Sequence, residues 1–112
     1  MSGMVRHAAV AGSFYPADGR ELRRMVERLL AEAPQPEGPP PKAIVAPHAG
    51  YVYSGPVAAT AYARLSKSGG KIRRVVLLGP AHRHPLYGLA THSAQAFEPP
   101  LGLVPLEHPG TV

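Results

Sequence analysis

The chain has 112 residues, the size of one small domain or of a piece of a larger one. It carries 14 prolines, 12 glycines and no cysteine, yet 45% of its residues are hydrophobic, so it is neither a disordered tail nor a disulfide framework. The formal charge is +5, but the arginines form no long run and are not interleaved with aromatics. Nucleic-acid binding is therefore disfavoured.

Residues 5–16 read as a lead-in that turns at Gly12-Ser13-Phe14-Tyr15-Pro16. The spacing then predicts a helix over 18–32. Asp18 is a good N-cap, and Glu21 gives capping-box spacing. Leu22, Met25, Val26, Leu29 and Leu30 form one apolar stripe, with Arg20, Arg23, Arg24, Glu27 and Arg28 on the opposite face. Residues 34–41, PQPEGPPP, hold five prolines and predict an extended connector.

Residues 42–46, KAIVA, read as a buried strand that stops at Pro47-His48. A glycine-bounded loop, AGYVYSG, follows, with Tyr51 and Tyr53 alternating along it. A second helix is expected from a cap at Ser54 or Gly55, with Pro56 in its first turn. Val57, Ala61 and Leu65 share a face with Ala58 and Tyr62, and Ser68-Gly69-Gly70 is its expected end. Residues 74–78, RVVLL, read as another strand. The unit 43–78 is thus expected to be a right-handed βαβ crossover with parallel strands, giving an α/β fold. A third strand is expected around Tyr87–His92, followed by an irregular tail from Phe97.

AIVAPHAG and VVLLGPAH echo one another. Each is an apolar run halted by proline, with a histidine one or two residues beyond. Ligands of parallel α/β sheets bind outside the carboxyl ends of the strands. His48 and His82 should therefore converge, where two imidazoles can share a metal ion or divide acid and base roles. His84 ranks behind them, and His7, His92 and His108 have no partner by spacing. Ser54 lacks a nucleophile elbow, and no glycine-rich phosphate loop occurs.

The segments RHAAVAGSFYPADGRELRRMVERLL, APHAGYVYSGPVAATAYARL, RRVVLLGPAHRHPLYGLA and AQAFEPPLG resemble the amino-terminal part of the Memo family. Prokaryotic members are often labelled AmmeMemoRadiSam system protein B. The blocks GSFYP, PHAGYxYSG and LLGPxH occur in the family's order, and the resemblance runs from about Arg6 to Gly102. It implies a fold similar to the LigB-type class III extradiol dioxygenases. It also implies metal-site roles for His48 and His82. The family's third metal-site residue is a cysteine far towards the carboxyl terminus, a residue type this chain lacks.

Residues 1–112 are then expected to be an amino-terminal fragment of a Memo-like domain. They would carry an incomplete site that binds iron, copper or zinc weakly, with a redox role and no oxygen chemistry of their own. The competing expectation is a non-enzymatic interaction module using the Tyr51/Tyr53 loop and an exposed sheet edge, with a protein partner or a second copy. No run of 18 apolar residues is present and no signal peptide is expected, which leaves a cytoplasmic location as the default.

Overall fold

The computed structural model describes residues 4–82, 85–90, 94–102 and 104–106. Two helices pack together beside a small mixed sheet, an α/β arrangement. No helix among the described residues is long and apolar enough to cross a membrane.

Helix α1 spans Gly19–Glu32. Asp18 caps it as its sequence demands, with the Glu21 N–H donating to Asp18 Oδ2 at 3.0 Å. Leu22 is buried, Met25, Val26 and Leu29 are half-buried, and the charged residues of the far face are exposed. Only Leu30, 39% exposed, drops off the expected stripe. The connector 34–41 forms no helix or strand, and the Arg64 guanidinium donates to the Glu37 carbonyl at 3.2 Å.

Helix α2 spans Tyr51–Tyr62 and runs into a 3-10 helix over Ala63–Ser68. It begins earlier than the Ser54 or Gly55 cap and the Pro56 first turn predict. Its cap is Gly50, and its first donor is satisfied from outside the helix, because the Tyr51 N–H donates to the Phe14 carbonyl at 2.8 Å. Pro56 therefore lies inside the helix, where it has no N–H to give the Val52 carbonyl. Val52 is 82% exposed, so water can take that bond. Of the residues expected to share a face, Ala58, Ala61 and Leu65 are half-buried. Ser54, Gly55 and Ala59 face inward while Val57 is exposed. Gly55 makes this possible: a Cβ there would stand 2.9 Å from Leu29 Cδ1 of α1. The Ser68-Gly69-Gly70 ending is as expected, with Gly70 at φ 81°.

The sheet comes from the lead-in and the tail, segments the sequence reads as irregular. Strand β1 (Val5–His7) pairs in parallel with β2 (Ala96–Glu98), which pairs antiparallel with β3 (Val104–Pro105). Arg6 lies 5.8 Å over the Phe97 ring on one face, and His7 Nδ1 meets Glu98 Oε2 at 3.2 Å on the other. His7 thus has a partner that spacing did not reveal.

The expected strands at 42–46 and 74–78 are not strands here, so the parallel βαβ core over 43–78 is not formed among the described residues. Neither run joins the sheet among the described residues. Val45 is 97% exposed, and Val75, Val76, Leu77 and Leu78 are 73–87% exposed. An apolar run becomes a strand only when a ladder partner and a covering layer are present. Residues 87–90 of the expected third strand likewise join no sheet among the described residues, and 91–92 lie outside them. The core is correspondingly thin: Leu22, Ala59, Ala63 and Ala94 are its buried hydrophobic members among the described residues.

Candidate functional site

The loop that carries His48 is fixed from the helix behind it. Ser54 does not cap α2 but turns back on the preceding turn, its hydroxyl donating to the Ala49 carbonyl at 2.8 Å and the Gly50 carbonyl at 3.2 Å. The Tyr51–Phe14 backbone bond ties the same point to the GSFYP turn. Gly12 at φ 88° and the Phe14 N–H bond to the Val10 carbonyl shape that turn. His82 follows the exposed apolar run Val75–Leu78 and the Gly79-Pro80-Ala81 step.

The structure brings these two histidines together. His48 Nε2 and His82 Nε2 lie 3.1 Å apart, with ring centroids at 5.2 Å and planes inclined by 36°. Both rings are exposed. One imidazole can donate and the other accept across this gap. Two neutral rings can instead turn both lone pairs on one cation. At zinc–nitrogen bonds of about 2.0–2.1 Å, tetrahedral ligands stand roughly 3.3 Å apart, so the observed gap is within a few tenths of an ångström of what chelation needs. Among the described residues the donor set fits two positions of a metal. Among the described residues there is no group of three histidine, cysteine, aspartate or glutamate side chains able to hold an ion. His84, His92 and His108 lie outside the described residues.

The expected Tyr51/Tyr53 loop is the first turn of α2, which separates the two rings. Tyr53 is 85% exposed. Tyr51 is half-buried, its ring centroid 5.5 Å from that of Tyr15. Burial pushes the Tyr51 hydroxyl above its ordinary pKa, and the neighbouring Tyr15 and Tyr62 push it the same way. Tyr15 and Tyr51 line an apolar cavity of about 470 Å³ with Leu22, Val26, Leu101 and Val104. Neither His48 nor His82 lines it. The Tyr15–Tyr51 pairing joins segments 36 positions apart, and nothing in local spacing signals it.

Comparison with known proteins supplies the remaining context. The chain is 42% identical over 103 residues to a MEMO1 family protein of Aquifex aeolicus, covering 92% of this chain and 37% of that relative. It is 43% identical over 112 residues to MEMO1 family protein MK0963 of Methanopyrus kandleri, covering 93% of this chain and 39% of the relative. It is also 44% identical over 96 residues to Protein MEMO1 of Danio rerio, covering 86% and 31% respectively. The chain thus spans well under half the length of these relatives. The family model described as Memo-like protein matches residues 6–110, and the chain belongs to that family.

Proposed function

We propose that this chain is a divalent-metal-binding part of a Memo-type domain, with His48 and His82 as two of the ligands. The observation that carries the reading is the 3.1 Å approach of two exposed ring nitrogens from segments 34 positions apart. Imidazole suits iron, copper and zinc alike, and the first two would add one-electron redox chemistry when bound. The chain's own part is to hold two nitrogens at chelating distance, with the Ser54–Ala49 bond fixing the loop beneath His48. Two ligands hold such ions weakly, and catalytic metal sites normally take three protein ligands. Dioxygenase-type turnover is therefore not expected of this chain alone. In the same reading the domain is LigB-like and cytoplasmic. Residues 42–46 and 74–78 would then become parallel strands when further polypeptide covers them.

Zinc titration followed by NMR tests the ligand assignment. The ring signals of His48 and His82 should shift together, and His48→Gln or His82→Gln should abolish the response. Zinc binding that survives both substitutions and is lost on changing His84 or His92 would overturn it.

A second reading, a protein-interaction surface, is favoured by the exposure of Val52, Tyr53 and Val57 on one side of α2. Here the surface would be a helix face, since Tyr53 does not sit on a loop.

A further inference from the structure

We propose that the exposed face of α1 is a docking surface for an acidic protein segment, one whose carboxylates repeat at helical spacing and meet the row Arg20, Arg24 and Arg28. The surface lies apart from the histidine pair, and the inference does not depend on a metal.

Arg20, Arg23, Arg24 and Arg28 are all exposed, on the side of α1 opposite buried Leu22. Arg20, Arg24 and Arg28 follow at intervals of four, so they form a line about 12 Å long with a step of about 6 Å. None of the four guanidinium groups is in an ion pair or hydrogen bond with a described residue. Glu27 is the one carboxylate between them, so the face is strongly cationic.

The helix itself gains nothing from this arrangement. Like charges four positions apart repel along a helix. Cations are favoured near the C-terminal end of the helix dipole. Arg20, Arg23 and Arg24 instead occupy the first two turns, and no basic residue stands in the last. Local rules broken without a compensating contact are characteristic of functional sites.

The chemistry of the face selects the partner. Guanidinium forks pair with carboxylates and phosphates. The row carries no aromatic ring on which a nucleic-acid base could stack. The apolar stripe that an interfacial helix would sink into lipid is turned on α2, where Leu29 Cδ1 faces Gly55. A partner helix with a carboxylate at every fourth residue repeats at the same step of about 6 Å and can meet all three arginines of the row.

The test is the fluorescence anisotropy of a labelled helical peptide with glutamate at every fourth position, added to the chain in chelator. At about 10 mM salt, where screening extends over roughly 30 Å, the peptide should bind. Arg24→Gln with Arg28→Gln should weaken binding about fivefold or more. Lys67→Gln with Lys71→Gln removes the same charge elsewhere and should leave affinity within about twofold. The urea midpoint of the arginine variant should not fall, because glutamine is close to arginine in helix propensity and the repulsion is relieved. Equal loss in the two double variants would reduce the effect to net charge and overturn the proposal. An unchanged anisotropy would overturn it too, as would tighter binding of a single-stranded oligothymidine or of phosphatidylglycerol vesicles. A fallen midpoint would make the row a structural feature of α1, with the same consequence.

Discussion

Two residues show how little freedom the packing around α1 and α2 leaves. Gly19 opens α1, and a Cβ there would stand 2.8 Å from the Pro100 carbonyl oxygen. That neighbour is backbone and cannot rotate away as a side-chain end can. Gly19→Ala should therefore cost about 1–3 kcal/mol despite the better helix propensity of alanine, measured by urea unfolding. An unchanged midpoint would show that the turn at Pro99–Leu101 yields freely. Tyr51 carries the second constraint. Its pKa is raised in the folded chain, so folding favours the protonated ring. The stability this contributes is fully present below the unfolded value near 10.0 and is lost as pH rises through the folded value. The difference in phenolate absorbance between the parent and Tyr51→Phe should titrate above pH 10.0, and a difference curve centred at or below it would contradict the buried placement.

At the scale of elements, legibility follows the range of the forces involved. Helix α1 is readable because everything that makes it is local: the Asp18 cap, the Glu21 spacing and the 22/25/26/29 stripe. The start of α2 is not, because its first N–H is satisfied by Phe14, far back in the chain. Strands β1 and β2 are short and lie about 90 positions apart, so no local pattern announces their pairing. The apolar runs 42–46 and 74–78 have the composition of strands but join no sheet among the described residues. The echo of the two segments points to the meeting of His48 and His82, although the parallel strand pairing expected to produce it is not formed among the described residues. The exposure of Val76 makes a direct check. Val76→Ser should change unfolding free energy by no more than about 0.5 kcal/mol, as for an open surface position. A loss of roughly 2 kcal/mol or more would show that this run is packed as a central strand.

The whole molecule is looser than its length requires. Its radius of gyration is 15.4 Å, against about 13 Å for a compact domain of this size. The side chains of Val75–Leu78 are correspondingly exposed, at 73–87%. On the proposed metal reading, the histidine pair would act on chain topology as well as on an ion. His48 and His82 are 34 positions apart and enclose all of α2 between them. An ion gripped by both would act as a cross-link on the unfolded chain. By the loop-entropy rule for disulfides, closing a loop of this length removes denatured-state freedom worth up to roughly 4 kcal/mol. Metal binding at this edge would thus be a folding event as much as a recognition event, a clasp closed across the whole of α2.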